Sequence, residues 1–472
     1  MAQRPAWWGG SRHVKWTITV FVVLASLDNA ALAIVPGMIP PLRDSLRASE
    51  AALGVLTGTS ILVTALAAAG WGFWGDRSRR KRLLFGGTLL WAAACTLSAT
   101  ATSFAWLYVW QTVMAVGLGA IASVGFSVVS DLVRPARRGL AMSFWGVSQG
   151  IGTVGGQLIA SQLGADRFGT PFVVVGVAGV VFALAYLVAY DVPRGFREPV
   201  LAAAPYDYRI EARQIPGLWA VRTNRWLILQ GFSAQFAYGS LVWTPLLYQE
   251  KVLAAGYGTD TATKVGGIFA TLNAVGALAS IIGGHVGDRW QARDPRGRAL
   301  LSTIGILGAI PLFLVFFFVP LRGLEVTDGA GTWLLLRQVL AEVVTNPWVG
   351  AALATGILAL VLTSVDSPNA FALIADVNLP EHRGTVFGAG NLANGLGRAT
   401  GSSLASAAAT AMERSLPPPA NWAAALAAFQ LFFLPTGYCY WRASHTSPED
   451  VASLQATLAQ RATGAGDDRA VT

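Results

Sequence analysis

The sequence predicts an all-α integral membrane protein with twelve transmembrane helices in two pseudo-symmetric six-helix bundles. Four observations carry that prediction. Of 472 residues, 54% are apolar and only 12% charged, with a mean hydropathy of +0.51, where a soluble chain has about 25% charged residues. The apolar residues form continuous runs rich in Gly and Ala, without the alternation of a membrane β-barrel. Twelve helices of about 22 residues use about 264 residues, which leaves short loops, one linker and a tail. The two halves of the chain also repeat each other. These features exclude a disordered or fibrous chain and argue against a cytosolic enzyme.

In chain order, the expected spans are 16–38, 52–75, 83–103, 105–129, 140–163 and 171–190, then 226–248, 264–287, 299–320, 348–375, 385–410 and 420–440. The N-terminal bundle is read as 1–190, a linker as 191–225, the C-terminal bundle as 226–440 and a loosely ordered polar tail as 441–472. Arg4, Arg12 and Lys15 precede the first apolar run, and Asp28 within it fits a spanning helix better than a cleaved signal peptide. The linker stretch Pro193 to Asn224 is Arg-rich and carries Trp219, which predicts an interfacial amphipathic helix. Residues 321–347 are read as a second long loop.

Lys and Arg positions set the orientation. With both termini in the cytoplasm, twenty-five basic residues fall on the cytoplasmic side, eight on the other, and one, Arg398, within a span. Membrane topology thus explains the net charge of +9, and no nucleic-acid partner is needed. Trp16, Trp106, Trp226, Trp348, Trp422 and Trp441 at span ends fit an interfacial belt. Cys95 and Cys439 lie in apolar segments without a CxxC partner and read as buried thiols, so neither a disulfide framework nor a metal site is expected. His13, His285, His382 and His445 fall in loops or cytoplasmic segments, and HExxH, GxSxG and P-loop patterns are absent. No enzyme and no cofactor are expected; an ion gradient, H⁺ first, is the remaining energy source.

The repeat is visible in two places. G-F-W-G-D-R-S-R-R-K runs from Gly72 to Lys81, and G-H-V-G-D-R from Gly284 to Arg289. D-L-V-R-P-A-R-R-G runs from Asp131 to Gly139, and D-V-N-L-P-E-H-R-G from Asp376 to Gly384. Gly150, Gly152 and Gly156 match Gly395, Gly397 and Gly401. Two six-helix halves built on one plan are the mark of a parallel-repeat transporter. An aspartate at a helix end is well placed to meet the N-terminus of another helix, whose free N–H groups favour an anion.

On Gly72, Asp76, Arg77, Arg80 and Lys81, with the second copy at Gly284, Gly287, Asp288 and Arg289, the chain resembles the major facilitator superfamily over essentially its whole length. The resemblance implies that fold, alternating access between the halves, and a conformational gate made of Gly72, Asp76, Arg77, Arg80, Asp131, Arg138, Asp288, Arg289, Asp376 and Arg383. It places Asp76 at the start of span 11 near Gly384, and Asp288 at the start of span 5 near Gly139. The run Leu27 to Pro36 resembles both the Spinster-like lysolipid exporters and the drug–proton antiporters. The exporters carry Arg where this chain has Asn29, and Arg and Glu where it has Gln111 and Leu118.

Ionisable groups inside the bilayer are costly and mark function. Asp28 lies roughly 20 Å into the first span, and Asp366 stands beside Pro368, which frees a backbone carbonyl. Both are candidate proton-coupling residues, and an Asp366–Arg398 ion pair is geometrically possible. Gln111, Gln149, Gln235, Tyr238, Trp243, Asn391, Asn394 and Arg398 are candidate substrate-cavity groups. The leading expectation is a monomeric, proton-coupled exporter of a small amphipathic molecule such as a lysolipid, in the cell membrane among membrane lipids. Multidrug–proton antiport and a substrate-sensing receptor without transport are the alternatives.

Overall fold

The computed structural model describes residues 11–164, 167–201 and 206–463. Arg4 and the end of the tail from residue 464 lie outside these. Among the described residues the chain is helical without strands, and twelve long rods follow one another. They are α1 (Ser11–Gly37), α2 (Glu50–Arg77), α3 (Arg80–Ser98), α4 (Phe104–Leu132), α5 (Arg138–Leu163) and α6 (Gly169–Leu187). Then come α7 (Arg222–Ser240, resuming as Thr244–Ala254), α8 (Thr259–Gln291), α9 (Gly297–Phe318), α10 (Pro347–Val377), α11 (Arg383–Met412) and α12 (Ala420–Ala462). By length and composition, eight helices among the described residues are apolar enough to cross a membrane.

Contacts group the chain into two compact units. The first comprises Met1–Arg225, Phe371–Ala393 and Thr446–Thr472, so it holds α1–α6, the junction of α10 and α11, and the end of α12. Its core is built from Ile34, Leu53, Trp91, Met114 and Phe172. Phe126 of α4 stacks on Phe371 at 4.5 Å and on Phe387 at 5.4 Å. Within this unit α1 lies on α5 so closely that a Cβ on Gly152 or Gly156 would run into the backbone of Ser26 or Ala30.

The second unit, Trp226–Ala370 with Asn394–His445, repeats that device. Gly397 and Gly401 of α11 leave no room for a Cβ against the carbonyls of Phe232 and Phe236 in α7. The repeat pairs Gly152/Gly397 and Gly156/Gly401 therefore act as helix-packing positions, as small residues do where apolar burial gives no drive, whereas a Cβ on Gly150 would meet open space. Phe236 packs on Phe429 and Phe432, and Tyr248 stacks on Phe269 at 4.6 Å.

Three expectations are corrected. The linker contains no long amphipathic helix among its described residues, only the short turns Pro199–Leu201, Ala212–Gln214 and Ile215–Leu218. Pro193, Pro199, Pro205 and Pro216 recur too often for a helix to run. Inside the loop read at 321–347, Thr332–Thr345 forms a helix that buries Leu335 and Val339, one turn apart. The tail is not loose through Ala462, because α12 continues unbroken from Phe433 and buries Leu454 and Leu458 against Leu201 of the linker.

Two irregularities bear on function. In α4 a π-helical turn spans Ile121–Gly125, a feature frequent at functional sites. In α10 the helix breaks between Ser364 and Asp366, where Pro368 supplies no N–H to the preceding turn.

Candidate functional site

The first unit holds a buried charge cluster made from the repeated D-x₆-R segments. Both arginines begin a helix, and each turns back on the chain before it. Arg138 donates through Nε to the Ser130 carbonyl at 3.1 Å, and Arg383 through Nε to the Ala375 carbonyl at 3.0 Å. Each then reaches the aspartate of the other repeat: Arg138 pairs with Asp376 at 2.8 Å and Arg383 with Asp131 at 2.5 Å. Asp131 also receives Arg80 at 2.6 Å, and Arg80 continues to Ser127 and to the Val192 carbonyl.

Glu198, from the linker, joins the two arginines. Its Oε1 accepts from Arg138 and from Arg383, each at 2.5 Å, and the residue is 4% exposed. Burial alone would raise its carboxyl; Arg138 and Arg383 outweigh that and hold it down to about 2. Three arginines thus face three carboxylates, a balance a dry cluster needs because an uncompensated buried charge is strongly destabilising.

Beside this cluster α2 meets α11. Asp76, fully buried, accepts from the Gly384 N–H at 3.1 Å, the Thr385 N–H at 2.6 Å and the Thr385 hydroxyl at 2.8 Å. A carboxylate on the free N–H groups of a helix start gains both hydrogen bonds and the dipole. Gly72 permits the approach, since a Cβ there would strike the Gly384 carbonyl. Arg194 of the linker ties down the other side of the α2–α3 turn, donating to the carbonyls of Gly75 and Ser78 at 2.9 Å each. Farther out, Arg461 of α12 and Tyr206 of the linker bind Glu381 at 2.5 and 2.6 Å. Burial would raise the Glu381 carboxyl, but His382 and Arg461 bring it below its ordinary range.

Arg77 is exposed over the Phe73 ring at 5.3 Å, and Arg289 is exposed. In the second unit Asp288 pairs with Arg298 at 2.6 Å, both buried.

The membrane-depth candidates separate in the same way. Asp28 in α1 is 6% exposed, and its Oδ1 is buried without a hydrogen-bond partner among the described residues. Asp366 in α10 accepts from the Tyr440 hydroxyl of α12, with Gln230 at 3.4 Å and Tyr238 at 3.5 Å. No ion pair joins it to Arg398 among the described residues. The break in α10 turns Asp366 toward α7 and α12, and the tyrosines take the place an arginine was expected to fill. Arg398 is exposed, fifteen residues into the thirty of α11.

Of the polar cavity candidates, Gln111 is corrected: it is 2% exposed and donates to Ser98 at 2.9 Å, bracing α4 on α3. Asn391 donates to the Ala122 carbonyl at 2.5 Å, inside the π turn, where the ladder of α4 is disturbed. Trp243 donates to the Ser402 carbonyl at 2.9 Å. Gln149, Gln235 and Asn394 are partly exposed, as is Tyr238.

The profile of the Major Facilitator Superfamily matches residues 19–402. The chain belongs to the Major Facilitator Superfamily. As a member of that superfamily it is a multi-pass membrane transporter of twelve transmembrane helices in two halves. It is similar to mouse Protein spinster homolog 3, with 25% identity over 374 residues, 73% of this chain and 71% of that protein. It is 24% identical over 327 residues to the sphingosine-1-phosphate transporter SPNS2 of Xenopus tropicalis, covering 66% of this chain and 61% of that one. Among solved structures, a bacterial homologue of the human lysosomal transporter Spinster, inward-facing and unoccupied, aligns with a TM-score of 0.57 and 17% identity. That alignment covers 94% of this chain and 99% of that chain, a likeness of fold.

Sequence reasoning found the repeat residues of this transporter's cluster and missed Glu198, Arg194 and Tyr440. Glu198 has no repeat partner because the linker occurs once. The one available signal was the charge count, since Arg80, Arg138 and Arg383 outnumber Asp131 and Asp376 by one. Tyr440 carried no signal beyond being a tyrosine in an apolar span.

Proposed function

We propose that this chain is a proton-coupled secondary transporter that exports an anionic, lysolipid-like amphiphile across the cell membrane. In this reading it acts as a monomer by alternating access, with both termini in the cytoplasm. The observation that carries it is Asp28, a carboxyl buried at membrane depth with an oxygen that finds no donor among the described residues. An ion in that position is expensive and a neutral acid is not, so gain and loss of a proton distinguish the arrangement seen here from one that admits water. A ligand or proton shifts such an equilibrium only through different affinity for the two states.

The charge cluster at the basic end then serves as the cytoplasmic gate: it is assembled in the state described and must come apart for the cavity to open on that side. Arg398, exposed half-way along α11, suits an anionic headgroup better than a cationic drug. The similarity to spinster proteins and to a sphingosine-1-phosphate transporter supports the same class.

Proteoliposomes with an imposed proton gradient test the reading. A fluorescent lysophosphatidic acid is expected to accumulate while the gradient lasts and to leak back when an ionophore collapses it. Gradient-independent flux, or none for any single-chain anionic lipid, overturns it.

A further inference from the structure

At the end of α7 remote from Arg222, the second unit contains a pocket of about 490 Å³ that the transport reading does not use. Its walls are apolar, with Phe317, Phe318, Leu321 and Pro419 among them. A lysine lies in its lining. Lys251 is 6% exposed, and its Nζ donates to the carbonyls of Phe316 at 3.2 Å and Val319 at 2.8 Å. The Phe316 carbonyl is a last-turn oxygen of α9, unsatisfied within the helix and at the negative end of its dipole, and the Val319 carbonyl belongs to the residue just past the helix end. The Tyr248 ring lies 5.5 Å away.

Carbonyls and a ring stabilise an ammonium only in part, and no carboxylate pairs with Lys251 among the described residues. One of its three donors is left over. Arg322, exposed and stacked over Trp348 at 5.3 Å, adds a second positive charge to the lining. The loop carrying it is pinned by Asn346, which donates to the carbonyls of Arg322 and Gly323 at 3.0 and 2.8 Å.

The geometry points to a second ligand site here, for an amphiphile whose anionic head, carboxylate or phosphate, meets Lys251 and Arg322 while its alkyl chain lies along the phenylalanine wall. The volume falls in the range of small-molecule pockets, about 300–1,000 Å³, and admits a head and part of one chain. The site is separate from Arg398. The Arg398 carbonyl lies against Gly239, and Lys251 is twelve residues farther along α7, roughly 18 Å at helical rise. The inference does not depend on the transport reading.

The test is photolabelling of the purified full-length chain in detergent with a palmitate analogue carrying a diazirine, followed by peptide mapping. Label is expected in the segments 317–324 and 419–423. It should be displaced by palmitate and at least tenfold less well by hexadecanol, which has the same chain without the charge. Lys251→Met should lose at least tenfold of the labelling and Lys251→Arg should keep it. The hexadecanol comparison uses the unaltered chain, so it decides the matter even where Lys251→Met fails to fold. Displacement by phosphatidylglycerol as well as by lysophosphatidic acid identifies a bilayer lipid as the source of the head; displacement by single-chain lipids alone identifies a free amphiphile. Label mapping elsewhere, equal displacement by hexadecanol, or full labelling of a folded Lys251→Met overturns the proposal.

Discussion

Replacing Glu198 with Gln removes one negative charge from the buried cluster while keeping its shape. The two arginines it joins each retain one aspartate, Asp376 for Arg138 and Asp131 for Arg383, so the cluster is weakened and left with one excess positive charge. Arg138 and Arg383 hold the Glu198 carboxyl at about 2 against an ordinary 4.5. At about 1.4 kcal/mol per pH unit, that gap makes the charge worth about 3 kcal/mol to the assembled gate. The figure agrees with the lower end of the about 3–5 kcal/mol lost when one partner of a buried pair is removed. About 3 kcal/mol is roughly a hundredfold in the closed-to-open ratio.

The assay is a distance distribution by electron–electron resonance between spin labels at Ala136→Cys and Ala292→Cys, both exposed positions. The native cysteines, Cys95 and Cys439, are buried and do not compete for label. Glu198→Gln should move the population toward separated labels. Its pH behaviour follows from the sign of the shift: a carboxyl depressed in the closed state contributes fully above 4.5 and loses that contribution as pH falls toward 2. The difference between the two proteins should therefore be constant from pH 6 to 8. An unchanged distribution, with unchanged transport, refutes the reasoning.

Asp76→Asn loses a buried carboxylate from the start of α11, a charge–dipole contribution of up to ~2 kcal/mol; it should slow turnover and shift the same distance distribution less than Glu198→Gln, and normal values of both contradict it. Gly72→Ala drives a methyl into the Gly384 carbonyl and should open the gate at least as far as Asp76→Asn, by the same measurement. Tyr440→Phe takes a donor from Asp366, a loss of about 1.5–3 kcal/mol when the acceptor is ionised; thermal unfolding in detergent should show it, and adding Asp366→Asn should recover part of it.

Sequence reading reached the fold because a bilayer leaves few choices: the backbone must satisfy itself, so long apolar runs become helices. The repeat then located Asp131, Arg138, Asp376 and Arg383 as equivalent residues, and the family resemblance placed Asp76 near Gly384, where the free N–H groups of a helix start favour an anion. Periodicity says nothing of a partner lying 60 or 185 residues away in a loop, which is why Glu198 was not found. Nor does it show where a helix breaks. The α10 break turned Asp366 to Tyr440 instead of Arg398, and the π turn of α4 gave Asn391 a carbonyl to hold.

Proton coupling through Asp28 is the central claim, and charge movement tests it directly. Proteoliposomes bearing the unaltered chain or Asp28→Asn are adsorbed to a solid-supported membrane, and current is recorded on addition of lysophosphatidic acid under a pH step. Asparagine fixes the neutral form, so substrate should still bind while the pH-driven current and accumulation disappear. A current of ordinary size that still follows the pH step in Asp28→Asn would show that the proton travels elsewhere and that Asp28 is a packing residue.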